Sequence, residues 1–139
     1  MITISTACAD SISLASFASG KNYATGSLST SSSLNQNTGR NNCVVPVVTV
    51  DALAEVMGNP PDVIKIDVEG AEFSVLQGAQ KTLLNVHPVI FLSVHSNSQR
   101  DACTKHLQKL NYCLTPLDGT MEDASEFVAI PCKASTLPV

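Results

Sequence analysis

Tryptophan is absent from this 139-residue chain, and two Tyr and four Phe are the only aromatic side chains. So small a supply leaves no stacking platform for single-stranded nucleic acid. Basic side chains are also scarce. Eight Lys and Arg stand against twelve Asp and Glu, for a net charge of −4 and a pI of about 5.1. That balance excludes a large basic nucleic-acid face. No apolar run is long enough to span a bilayer, since the longest, residues 86–94, is interrupted by His87 and Pro88. The first twenty residues, MITISTACADSISLASFASG, lack a basic n-region and carry Asp10 inside their apolar part. They are read as part of the domain, not as a signal peptide. Five cysteines, Cys8, Cys43, Cys103, Cys113 and Cys132, are widely spaced and form no CxxC pair, which excludes a zinc knuckle or a thioredoxin motif. Idle thiols in a reducing compartment are the expectation, which favours the cytoplasm.

What remains is globular: 44% of residues are hydrophobic and 14% charged. The length suits one domain with a core of roughly five or six elements. Three stretches differ in composition. Residues 1–18 alternate loosely and predict two short strands around a turn near Asp10. Residues 19–43 are mostly Ser, Asn, Thr and Gly, too polar to bury enough apolar area to offset ordering, and predict a flexible loop. Residues 44–139 hold the patterned part of the chain.

There, VVPVVTV is extended, and residues 51–57 predict a short helix closed by Gly58 and stopped by Pro60 and Pro61. Residues 62–68 (DVIKIDV) lack clean alternation, as a strand covered on both faces does. A helix is expected over residues 70–84, and a second buried strand over residues 89–95. Ser96 and Gln99 have capping-box spacing at the start of a helix reaching residue 110, after which Asn111 suits a left-handed cap. The segments YCLTPL and EFVAIP, around a turn at Asp118–Gly119, predict an antiparallel pair. The order predicts an α/β fold with a doubly wound, largely parallel sheet ending in a hairpin.

In such a sheet, ligands bind beyond the carboxyl ends of the strands. Asp67 ends one strand and His95 the next, so both should face that crevice, with Glu69 and Glu72 in the first turn of the helix between them. The helix dipole accounts for Glu72, but a strand-end aspartate gains little from it. An acidic strand end suits a cationic ligand group, or a hydroxyl that must lose a proton. Asp67, Glu69 and His95 could also serve as metal ligands of a hydrolase, although they obey no fixed spacing rule. His106 is read as a core or boundary residue, and Lys65 as paired with a neighbouring carboxylate or reaching solvent.

The run IKIDVEGAEFSVLQGAQKTLL, preceded by VPVVTVDAL and followed by PVIFLSVHS, resembles the FkbM-type family of S-adenosylmethionine-dependent methyltransferases. Thr49 and Asp51, residues 65–72, residues 77–79 and His95 carry the likeness, which covers residues 44–96 well and the flanks more weakly. The resemblance implies a class I methyltransferase sheet whose last pair is a hairpin inserted antiparallel. It implies methyl transfer from S-adenosylmethionine to a hydroxyl of a sugar or natural-product-like acceptor. By position, Asp67 would border the methionine end of the cofactor and Asp10 would approach its adenine. His95 would act as general base, with Glu69 orienting it or the substrate.

Two departures bear on this. The family often has Glu two places before the His, where this chain has Ser93. No glycine-rich turn precedes Val44, so the chain is expected to lack the first strands of the fold and to be an incomplete domain. The strand at residues 62–68 would then be an apolar edge, covered by a partner chain or by the Ser-rich segment, or else left unstable. A methyltransferase-like binding module without catalysis is the alternative function.

Overall fold

Two four-stranded mixed sheets carry the chain in the computed structural model, which describes residues 3–19, 26–29 and 42–132. The first holds β1 (Ala7–Cys8), β2 (Ser13–Ser19), β3 (Gly26–Ser29) and β4 (Asn42–Val48), in the order β1-β4-β2-β3. The second holds β5 (Val63–Ile66), β6 (Val89–Ser93), β7 (Tyr112–Pro116) and β8 (Glu126–Pro131), in the order β5-β6-β8-β7. Helix α1 (Val50–Met57) links the sheets. The short helices α2 (Glu72–Gln77) and α3 (Gln80–Asn85) join β5 to β6, and α4 (Asn97–Lys109) joins β6 to β7. The α/β class is as expected, with two sheets in place of one continuous sheet. Within residues 19–43, expected to be a flexible loop, residues 26–29 pair with β2, while residues 20–25 and 30–41 lie outside the described residues.

Strands β5 and β6 run parallel, and β8 lies between β6 and β7, antiparallel to both, so the closing hairpin is inserted as expected. Among the described residues β5 is an edge strand, with Val63 exposed. The core sits where α2, α3 and α4 cover this sheet. Leu76, Leu83, Ile90, Leu92, Leu107 and Phe127 are all fully buried there. Each such side chain contributes roughly 1.5–3 kcal/mol by leaving water.

Local signals act as the sequence suggests, with one exception. Thr49 caps α1 through its hydroxyl, Gly58 closes that helix at φ +63°, and Asn111 (φ +61°) follows α4 in the left-handed region. The single helix expected over residues 70–84 is broken into α2 and α3 at Gly78 and Ala79. The Gly78 carbonyl accepts from the Asp51 N–H, and the Asp51 carboxylate accepts from the Lys81 and Thr82 N–H groups and the Thr82 hydroxyl. These bonds give α3 its own start, so tertiary capping overrides helical periodicity.

The cysteines need a correction. Cys113 and Cys132 form a disulfide that ties β7 to the end of β8, in place of idle thiols. Disulfides are rare in cytosolic proteins, which removes the support that cysteine usage gave to a cytoplasmic location. Among the described residues, no helix is long and apolar enough to cross a membrane. The bridge closes a loop of sequence separation 19, for which chain entropy predicts about 3 kcal/mol of stabilisation. Urea melts with and without reductant should differ by about that amount. Coincident melts would show that the bridge contributes nothing.

Candidate active site

Because β5 and β6 are parallel and in register (Ile66 opposite Leu92), their ends lie side by side. Asp67 follows β5 directly, and His95 comes two residues after β6. The chain then turns through Glu69 (φ +48°) and Gly70 (φ +101°) into α2. A left-handed glutamate costs roughly 1–2 kcal/mol, so the surrounding bonds must hold this turn in shape.

Three carboxylates surround the His95 ring. Nδ1 lies 2.7 Å from Glu72 Oε1, while Nε2 lies 3.5 Å from Asp67 Oδ1 and 3.6 Å from Glu69 Oε1. The carboxylates differ in environment: Asp67 and Glu69 are exposed, whereas the Glu72 side chain is 0% exposed. Glu72 Oε1 also accepts from the Gly70 N–H at 2.8 Å, and Oε2 has no hydrogen-bond partner among the described residues. The other Asp67 oxygen accepts from Lys65 Nζ at 3.3 Å, so Lys65 both pairs with a carboxylate and reaches solvent.

This setting raises the His95 pKa above the ordinary histidine value. The hydrogen bond to Glu72 is the largest cause, partial burial opposes it, and the charges of Glu69, Glu72 and Asp67 add to the rise. By contrast, burial pushes the Cys103 thiol up to about 12, helped by the Glu72 charge, and also raises Cys8. Neither thiol is a nucleophile at neutral pH. Burial, with a smaller effect from Lys109, lowers the His106 pKa. His106 is partly buried and meets the Phe73 ring edge-on, as a boundary residue would.

Sequence reasoning placed Asp67, Glu69 and His95 at one crevice, and the structure brings these three together. Asp10 lies two residues beyond β1, a strand of the other sheet, and makes none of the contacts around the His95 ring. Its N–H donates to the Ser74 hydroxyl of α2, and its carboxylate accepts from Ser11. Three contributors were missed. Glu72, attributed to the helix dipole, contacts His95 directly. Gln99 fulfils only half of the expected capping box. Ser96 Oγ accepts from the Gln99 N–H, but the Gln99 side chain accepts from Phe73 N–H and donates to Gly70 C=O, tying α4 to the acidic turn. Glu126, opposite Ser93 across the β6–β8 ladder, accepts from the Ser93 hydroxyl at 2.9 Å. A neighbouring strand thus brings a carboxylate to the position where Ser93 replaces the expected Glu. Only the pairing of β8 with β6 reveals it.

Asp67, Glu69 and His95 each offer one metal-ligating atom, and these atoms lie within 4.8 Å of one another. All three residues are exposed, and exposed carboxylates at a strand end reach such spacing without an ion. The metal-hydrolase alternative gains nothing beyond that spacing.

A family model for the methyltransferase FkbM domain matches residues 1–121. Among solved structures, methyltransferase FkbM from Methylobacillus flagellatus KT is similar, with a TM-score of 0.51 and 21% identity over 63% of this chain and 23% of that one. That likeness speaks to the fold, and the chain spans about a quarter of that protein's length. No curated protein matches.

Proposed function

Because this chain belongs to the FkbM methyltransferase family, we propose that it carries the acceptor-activating part of a methyltransferase that uses S-adenosylmethionine. The acceptor is a hydroxyl of a small molecule or glycan, and His95 is its general base. One observation carries this reading. A histidine ring with one nitrogen held by a buried carboxylate turns its other nitrogen toward an exposed acidic strand end.

The donor fits the residues present in one respect. Its methionine portion carries a sulfonium and an ammonium, and the exposed Asp67 and Glu69 carboxylates offer the opposite charge. When bound, S-adenosylmethionine supplies an electrophilic methyl group. Asp67 then holds positive charge at the end of β5, and Glu69 orients either the acceptor or the ring. His95 Nε2 takes the acceptor's proton as the oxygen becomes nucleophilic. Asp10 is assigned to the adenine side, since β1 and the acidic turn flank the same helix, α2.

The second sheet is the carboxyl-terminal portion of a doubly wound class I sheet, and the edge of β5, unpaired among the described residues, accepts a strand from a partner chain. An unpaired apolar edge favours such a partner.

Calorimetric titration of S-adenosylmethionine into the full chain tests the reading, followed by a screen of hydroxylated acceptors with methyl-labelled donor. Saturable binding and label transfer are expected. Failure of a folded chain to bind, alone and with a strand-supplying partner, would replace the enzyme reading with that of a binding module.

A further inference from the structure

We propose that Glu72 is the positioning residue of His95, fixing the ring so that Nε2 is the nitrogen that accepts a proton. The catalytic meaning of this rests on the reading of His95 as general base, whereas the positioning itself stands on geometry. Glu72 Oε1 already accepts from the Gly70 N–H, so at 2.7 Å from that acceptor the Nδ1 atom of His95 carries the hydrogen. In the neutral ring the lone pair therefore sits on Nε2, beside Asp67 and Glu69. An unconstrained neutral histidine has no such partner to select its tautomer.

Burial makes Glu72 suited to this role. Asp67 and Glu69 are exposed and solvated, so neither has its orientation fixed by packing. Glu72 is 0% exposed at the start of α2, and its Oε1 also accepts from the Gly70 N–H. Gln99 braces that turn from α4 through Gly70 C=O and Phe73 N–H. Two helices thus hold the carboxylate, and the carboxylate holds the ring. In the step itself, the acceptor O–H bond breaks and a bond from that hydrogen to Nε2 forms. The resulting imidazolium is stabilised through Nδ1–H by Glu72.

The tautomer can be read without any activity, from long-range proton–nitrogen correlation of the histidine rings in the nitrogen-15-labelled full chain. The neutral His95 ring of the wild type should carry its proton on Nδ1. In Glu72→Met, similar in size and without an acceptor, the proton should move mainly to Nε2. In Glu72→Gln, which keeps a neutral acceptor, the His95 titration midpoint should fall toward the ordinary value. A wild-type ring protonated on Nε2 would overturn the proposal, even if neither variant folds. So would Glu72→Met with an unchanged tautomer and midpoint. Failure of methyl transfer by a chain with the expected tautomer would overturn the proposed function and leave the positioning intact. Where transfer is found, Glu72→Met should lower kcat/KM by up to the roughly 10²–10⁴-fold that a positioned base contributes, and Glu72→Gln should move the pH profile toward lower pH.

Discussion

Gly78→Ala is expected to destabilise the chain by about 4 kcal/mol or more, or to prevent folding. A methyl group on Gly78 would lie 2.0 Å from the Ala9 carbonyl oxygen, 2.9 Å from its carbonyl carbon and 3.3 Å from Asp10 Cα. These are all backbone atoms, so no side chain can swing aside. Gly78 has an ordinary right-handed φ of −74°, so conformational freedom is not what this site requires. Close approach is: the end of β1 passes directly over the turn between α2 and α3.

Relief would require β1 to lift away from that turn. The movement would strain the Ala9 N–H bond to Val48 C=O and the Asp10 N–H bond to the Ser74 hydroxyl, and with them the join between the sheets. Gly70→Ala is the instructive control. Its added methyl meets nothing within 4 Å, and only the φ of +101° opposes it. A strained backbone position costs of the order of 1–3 kcal/mol, so Gly78→Ala should be the more damaging change. Urea denaturation of both variants tests this order. Near-wild-type stability of Gly78→Ala would show that β1 does not seat on this turn.

These contacts show which features a sequence can carry. The strands at residues 63–66 and 89–93, the hairpin, the caps at Gly58 and Asn111, and the meeting of Asp67, Glu69 and His95 all follow from short-range signals plus one rule about parallel sheets. Glu72, Gln99 and Asp51 were harder to read for a shared reason. Each side chain bonds across a sequence separation of 23 to 31 residues, and each has a plausible local role that hides the distant one. Glu72 resembles a helix-dipole carboxylate, Gln99 the far end of a capping box, and Asp51 an acidic first-turn residue. Periodicity also could not show that the helix breaks at Gly78, because Asp51 starts α3 from another element. The pairing of Cys113 with Cys132 depends on the β7–β8 register, which widely spaced thiols do not announce.

With His95 as the proposed general base, His95→Ala should lower methyl transfer by about 10²–10⁴-fold, the usual contribution of such a positioned group. Alanine alone is an ambiguous variant, since it also leaves the buried Glu72 without its partner, and an orphaned buried acid is destabilising. His95→Gln resolves this. Its amide can donate to Glu72 Oε1 but cannot take a proton, so stability should recover while activity stays lost. The pH dependence separates the two roles further. As the proposed base, His95 must be neutral to act, and its pKa is raised above 6.5, first by its bond to Glu72. Activity should therefore rise as pH climbs through a midpoint above 6.5 and fall away on the acid side. Stability runs the other way. A raised folded-state pKa gives stabilisation that is fully present below the unfolded value of about 6.5 and lost as pH rises through the folded one. The chain should become less stable over the same interval in which it becomes more active. In His95→Gln this pH-dependent loss should be absent, which thermal melts across that interval would show. A wild-type rate that is flat with pH, or an active His95→Gln, would remove His95 from the chemistry and leave it a structural partner of Glu72.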